Sequence, residues 1–370
     1  MKGFGAVPDG MMRELIANGN ILGVMDAPTD THINPASFDL AVIEAYRLEY
    51  SILPKRGQSV KKLLGKARAK QLPFQDTTFE PEVTYCFKTS ARILLPPGYY
   101  AHFNPKSSSG RDAWLIRVII DGVDVYDALP SGMEGFVTPW LLARPTKMPI
   151  EMSSGETLAQ ARIFNKDTRF SASELLHIHE TEHEPLLLID GRPIPWKKIR
   201  TFTSDRSVGV SLDLRPGVQI GWRCRENRRI VKYSEQQEKE LYFESVYADV
   251  GGGLLLEKGY FYILSTMESV RVPPWMACEV VPAHAWLGEV RIHAAGYIDP
   301  GWGYGVGGEG VGRRITLEVW PQENLYVQKR QLVGLLHFEQ MIEAPLVHYD
   351  RKPTSHYQHQ QGALPSKRFK

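Results

Sequence analysis

The sequence predicts a mainly β protein built as two tandem domains of one fold, with a few short helices. Three observations point there. Short apolar or β-branched runs punctuated by Gly and Pro recur along most of the chain, the pattern of strands and turns. The 370 residues exceed what one hydrophobic core usually serves. The second half also repeats, in order, motifs of the first.

The elements follow from the N-terminus. Residues 9–19 read as a helix, with Asp9 as N-cap, MMRELIAN as its body and Gly19 as its stop. ARILLPPGYYAHF, LYFESVYADV, YFYILSTMESVRVPP, RRITLEVW and LVGLLHF read as strands. Ser171-Ala-Ser-Glu174 has the form of a capping box that opens a second helix. Turn-rich IDGRPIPW follows it and reads as a junction. The expected division is therefore a domain over 1–170, a linker helix and turn over 171–195, and a domain over 196–370.

Four matches carry the repeat. Leu95-Pro-Pro lies over Val272-Pro-Pro at an offset of 177, and Pro105 falls on Pro282. Ser37-Phe-Asp39-Leu lies over Ser211-Leu-Asp213-Leu, and LAQARIF ending at Phe164 over LVGLLHF ending at Phe338, both at 174. Gly132-Met133 pairs with Gly301-Trp302.

Composition excludes several classes of function. A formal net charge of +2 is not that of a strongly basic nucleic-acid binder, but it leaves room for a local basic patch facing a small anion. Cys86, Cys224 and Cys278 are far apart, with no C-x-x-C, so neither a disulfide framework nor a cysteine-rich zinc site is expected. No run approaches the roughly 18 apolar residues of a membrane span, and the N-terminus lacks a secretory signal's apolar core. A soluble, cytoplasmic protein is the expectation.

Several motifs could carry chemistry. His179-Glu-Thr-Glu-His183 has zinc-hydrolase spacing, but its two spacer positions are Thr181 and charged Glu182, flanked by Glu180 and Glu184, and no obvious third ligand follows; a solvated linker helix is expected. Gly303-Tyr-Gly-Val-Gly-Gly308 matches a dinucleotide fingerprint but leads into a strand, so it reads as a mobile surface loop. Lys106-Ser-Ser-Ser-Gly-Arg111 is either a phosphate cradle, small residues flanked by cations, or a polar turn. Ala295-Gly-Tyr-Ile-Asp299-Pro-Gly-Trp302 is either a nucleoside-stacking hairpin or a β-turn with a core tryptophan. Glu318 shares a strand face with Thr316, opposite Ile315, Leu317 and Val319. If that face lines a pocket, burial suits the carboxylate to proton shuttling; if it faces water, Glu318 is a solvated strand residue. The polar C-terminus, Tyr349 onward, reads on composition as a disordered tail.

Together, Asn34-Pro-Ala-Ser-Phe-Asp39, Lys106–Arg111, Ala295–Trp302 with Thr316-Leu-Glu318, and the tail Tyr357–Ser366 resemble the dCTP deaminases of the dUTPase superfamily, of tandem-domain bacterial type. The resemblance implies two dUTPase-like distorted β-barrel (β-clip) domains and the hydrolysis of dCTP to dUTP and ammonia. The first copy keeps Ser107 and Arg111, where the second has His284 and Gly288. The second keeps Asp299 and Glu318, where the first has Pro130 and no carboxylate from Phe136 to Arg144. One composite site per pair of unlike domains is thus implied.

Carried over, Glu318 is the general base and Ser107, with the Ala295 carbonyl, holds the attacking water. Arg111 orients the glutamate, and Asp299 accepts the deoxyribose 3′-hydroxyl. Lys106 and Ser108 contact phosphates, and Tyr349, His356 and Gln360 close over the triphosphate. Mg²⁺ is implied on the substrate phosphates, with no zinc and no all-protein metal cage. No nucleic-acid polymer or membrane partner is expected; a homo-oligomer is compatible with the pattern. Three departures stand out: His356 replaces a family lysine, Lys106 replaces an arginine, and GYGVGGEGVGRR lengthens the connection before Glu318. Two alternatives keep most of these motifs: a bifunctional enzyme that carries dUTP on to dUMP, and a nucleotide-binding regulator that would tolerate loss of Glu318.

Overall fold

The computed structural model describes residues 3–24, 32–282, 290–292 and 296–370, and it is mainly strand with a few short helices. It divides into two compact units that are not contiguous in sequence. The N-terminal unit is Phe4–Lys166 together with Glu226–Gln237 and Ser366–Lys370; the C-terminal unit is Asp167–Arg225 with Glu238–Pro365 and Gly3. Residues 171–195 lie within the C-terminal unit, where Leu187–Ile189 pairs with Tyr262–Val270 and with Arg192–Pro193.

In the N-terminal unit, helix α1 (Asp9–Ala17) starts one residue earlier than its sequence signals suggest, with Pro8 as N-cap, and Asn18 caps its end. The sheet is organised by β1 (Ser37–Leu48), which pairs through Phe38–Ala41 with one neighbour and through Val42–Leu48 with another. A bulge marks the change in each ladder. One long strand thereby serves two sheet directions, the usual way a small barrel turns a corner. The strands β2 (Thr84–Thr89), β3 (Tyr100–Pro105), β4 (Trp114–Ile119), β5 (Trp140–Pro145) and β6 (Thr157–Phe164) complete it in the order β3-β6-β1-β2-β5-β4, with Ala128–Leu129 on the β3 edge. Phe79, Tyr85, Phe87 and Trp114 pack edge to face beneath it, the Phe79 and Tyr85 rings 4.9 Å apart.

The C-terminal unit repeats the arrangement. Strands β7 (Ser207–Ser211), β8 (Tyr262–Val270), β9 (Met276–Pro282), β10 (Gly296–Ile298), β11 (Arg313–Pro321) and β12 (Leu332–Gln340) include the order β7-β12-β9-β10, while β11 pairs with β8. The matched segments of the sequence repeat therefore occupy matched places. LAQARIF in β6 lies between β1 and β3, and LVGLLHF in β12 lies between β7 and β9. Its core gathers Val208, Val210, Leu264, Cys278, Leu317, Val319 and Phe338 among others. Among the described residues, no helix is long and apolar enough to cross a membrane.

Candidate active site

In the N-terminal unit the serine motif forms a single turn of helix, α2 (Ser107–Arg111), between β3 and β4. Lys106 is its N-cap; its N–H donates to Leu158 O at 3.0 Å, tying the turn to β6. Ala113, in the left-handed region at φ 62°, ends it, and the Ala113 carbonyl is held by Thr146 N–H and hydroxyl at 3.0 and 2.9 Å. Ser108, Ser109 and Arg111 are buried, and Ser107 is half-buried. That burial overturns the exposed polar turn as a reading of this stretch. The Lys106 ammonium donates to Asp39 Oδ2 and, at 3.1 Å, to Thr157 Oγ1. Asn34 Nδ2 donates to the other Asp39 oxygen at 3.1 Å, so the Asn34–Asp39 motif positions the cation beside the serines.

Asp112, directly after Arg111, is fully buried; burial pushes its carboxyl up against the pull of Arg368, which pairs with it at 2.9 Å. Arg368 lies over the Tyr233 ring, 3.2 Å from its centroid. Next to it, desolvation and the nearby Lys106 and Arg368 cations pull the Lys367 ammonium below its ordinary range. Sequence reasoning missed Asp112, Tyr233, Lys367 and Arg368. The available signal was a carboxylate at the C-terminal end of a helical turn, where the peptide dipoles favour a cation. Nothing in the spacing says that the cation comes from 256 residues away.

In the C-terminal unit Glu318 sits on β11 opposite Ile263 of β8, 3% exposed, with Thr316 at 7% on the same face. Ile315, Leu317 and Val319 face the core, so both faces of the strand are buried and the solvated-strand reading of Glu318 is excluded. The tail lies against this strand, and the disordered reading of it is overturned: Gln360 Nε2 donates to Thr316 Oγ1 at 2.8 Å and to Arg314 O at 3.1 Å. Tyr349 packs on Trp302, centroids 5.1 Å apart, and its N–H donates to Pro300 O at 2.8 Å. Asp299, half-buried, closes that turn through its backbone carbonyl, which accepts Trp302 N–H at 3.2 Å. Arg313, at the start of β11, lies over Trp302 and pairs with Asp350. The tail thus joins the Asp299–Trp302 turn to the strand of Glu318. His356 is exposed, its ring centroid 6.3 Å from that of Tyr357. Ala295 lies outside the described residues.

The N-terminal unit has apolar residues at the corresponding places. Strand β5, paired with β2 as β11 is with β8, carries buried Leu141, Leu142 and Ala143. Around Gly132-Met133, the segment matched to Gly301-Trp302, Ile93, Leu95, Leu129, Pro130 and Val137 line a small pocket.

Two expectations change. The capping box forms as predicted and opens helix α3 (Ala172–Leu176), which runs on as a π-helical turn over His177–Thr181. The histidine face of this turn is packed, not solvated. His179 is buried, accepts Leu186 N–H on Nδ1 at 3.0 Å and lies 2.9 Å from Ile194 O through Nε2. Both ring nitrogens are engaged by backbone, and His183 is exposed, so the pair does not assemble a metal face. The glycine-rich loop, expected as a mobile loop, is folded down. Arg271 donates to Gly310 O and Gly308 O at 2.9 and 2.8 Å, and Asp350 accepts Gly305 N–H at 2.8 Å.

Comparison with known proteins adds two findings. Residues 3–167 match a family model described as the 2′-deoxycytidine 5′-triphosphate deaminase N-terminal domain, and residues 183–369 match that of its C-terminal domain. The crystal structure of 2′-deoxycytidine 5′-triphosphate deaminase from Agrobacterium tumefaciens is similar, with a TM-score of 0.81 and 30% identity over 93% of this chain and 99% of that one. No curated protein matches.

Proposed function

Because the chain belongs to the dCTP deaminase family, we propose that it converts dCTP and water to dUTP and ammonia by proton shuttling through Glu318, without zinc. The observation that carries this reading is the burial of Glu318 and Thr316 on one face of β11, with Gln360 of the tail on Thr316. A carboxylate enclosed in this way is suited to moving protons between water, ring and leaving group.

In this reading Glu318 takes a proton from water as its oxygen bonds to carbon 4 of cytosine. The proton passes to N3, and a second transfer through the same carboxylate carries a proton to the exocyclic nitrogen. The C4–N bond then breaks, ammonia leaves and the carbonyl of uracil forms. Ser107 and the Ala295 carbonyl hold the water, and Arg111 orients Glu318. Asp299 accepts the 3′-hydroxyl while Trp302 and Tyr349 shape the hairpin around the nucleoside. Lys106 and Ser108 take phosphate oxygens; Lys106 is already fixed by Asp39 and Thr157. Tyr349 and Gln360 belong to the closing tail, and His356, exposed on that tail, supplies the phosphate contact its family position implies.

Mg²⁺ bound through the triphosphate would offset phosphate charge. A serine turn flanked by Lys106 and Arg111 fits a metal carried in on substrate better than one held by a carboxylate cage. The three cysteines are each buried and separate.

The test is incubation of the protein with dCTP and Mg²⁺, with products resolved by anion exchange. dUTP and ammonia are expected. Formation of dUMP and pyrophosphate would favour the bifunctional enzyme, and intact dCTP would sink the proposal. Glu318→Gln is expected to lower kcat by about 10³-fold or more while dCTP still protects the tail from proteolysis. A variant that turns over normally would point to a nucleotide-binding regulator or another base.

A further inference from the structure

We infer that Arg368 is a positioning residue for the dCTP site: supplied by the returning segment Ser366–Lys370, it holds the Ser107–Arg111 turn in working register by gripping the residue after it and the start of the strand that anchors its N-cap. The inference rests on the roles given above to Ser107 and Arg111.

Asp112 caps the C-terminal end of the turn. There, burial and the negative pole of the peptide dipoles both disfavour a carboxylate. It stays because Arg368 Nη1 donates to it at 2.9 Å, with hydrogen bonds from the Ser366 and Tyr233 side chains beside that cation. The other guanidinium nitrogen, Nη2, reaches Glu156 Oε2 at 3.4 Å. Glu156 is joined in sequence to Thr157, which accepts a hydrogen bond from Lys106, the N-cap of the same turn. One planar cation therefore connects the residue after Arg111 to the strand that holds Lys106, a bridge that needs two donors in fixed relation.

The cation itself is held firmly. Tyr233 lies beneath it, and the Tyr233 hydroxyl accepts Trp114 Nε1–H at 3.0 Å; Trp114 opens β4, directly after the turn. The backbone is fixed as well, with Gln237 N–H donating to Arg368 O at 2.8 Å and Lys370 N–H to Gln237 O at 2.9 Å. All of these partners belong to the N-terminal unit. A serine that must hold a reacting water, and an arginine that must orient the base, to within a few tenths of an ångström gain that accuracy from such a support.

The test compares full-length wild type with Arg368→Ala, Arg368→Lys and the double variant Arg368→Ala/Asp112→Asn, which leaves no buried carboxylate without its cation. Two quantities are read: steady-state kinetics with dCTP, and amide hydrogen exchange over residues 104–113. The inference expects Arg368→Ala to lose about 10²-fold in kcat with KM changed less than about threefold. Exchange over 107–112 should rise in both Ala variants. Lysine should recover about tenfold of the lost kcat, since an ammonium reaches Asp112 but cannot also bridge to Glu156. The double variant should fold and remain slow. Wild-type kcat in the double variant, or unchanged exchange over 107–112 in either Ala variant, would overturn the inference. A wild type that leaves dCTP intact would instead defeat the functional reading, and the exchange measurement would still decide the clamp.

Discussion

Both ring nitrogens of His179 are taken by backbone groups, and burial holds its pKa below the ordinary histidine value. His337 and His348 are shifted the same way, again by burial first. A histidine with a lowered folded pKa leaves the unfolded chain binding more protons as pH drops, so its contribution to stability is complete above about pH 6.5 and is lost on acidification. The melting temperature should therefore fall between about pH 7 and pH 5, and fall less steeply in His179→Gln, which lacks one of the groups that must charge. Equal slopes in thermal unfolding across that range would contradict this. At this scale the sequence was informative about chemistry and poor about surroundings. Alternation in ITLEVW put Glu318 with Thr316, but that their face is covered depends on Gln360, 44 residues from Thr316, and no local pattern encodes such a contact. His179 failed for the same reason: the spacing was visible, while the carbonyl of Ile194 and the amide of Leu186 that occupy the ring were not.

The Asp299–Trp302 hairpin depends on one backbone conformation. Gly301 has φ +87°, and a Cβ built there would lie 2.3 Å from Nδ1 of buried His348. Gly301→Ala should thus cost the C-terminal unit roughly 1–3 kcal/mol and, by moving His348, disturb the Tyr349 that follows it. Lower thermal stability together with a raised KM for dCTP is the expected result; a stable variant with unchanged KM would show that the hairpin adapts. Elements with strong local signals were legible. The Ser171–Glu174 box capped its helix, and the LAQARIF and LVGLLHF runs became matching central strands. The glycine loop was not, because the groups that fix Gly303–Gly308 lie far from it in sequence. Its position comes from Arg271 and Asp350, residues outside the motif.

The two units follow the repeat, but their borders do not follow the sequence. Glu226–Gln237 and Ser366–Lys370 belong to the N-terminal unit, although both are encoded beyond Lys166, where its first segment ends; Val231–Lys232 even adds a strand beside Ile150–Glu151. A contiguous fragment of residues 4–166 would lack Tyr233 and Arg368 and leave Asp112 buried without its cation. Removing one partner of such a pair costs about 3–5 kcal/mol, a large part of a domain's stability. That fragment is expected to be insoluble or to unfold without a cooperative transition; a sharp transition at the temperature of the intact protein would show the returning segments to be dispensable. This feature escaped the sequence reading because a repeat suggests a simple cut, and short returning segments carry no periodicity of their own. It also bears on how the molecule is made. A ribosome adds roughly 5–20 residues each second, and 256 residues separate Asp112 from Arg368, so the first-made unit waits on the order of tens of seconds for its last side chain. Completion of the serine turn is then tied to synthesis of residue 368, and a chain that stops before it emerges with its first domain unfinished.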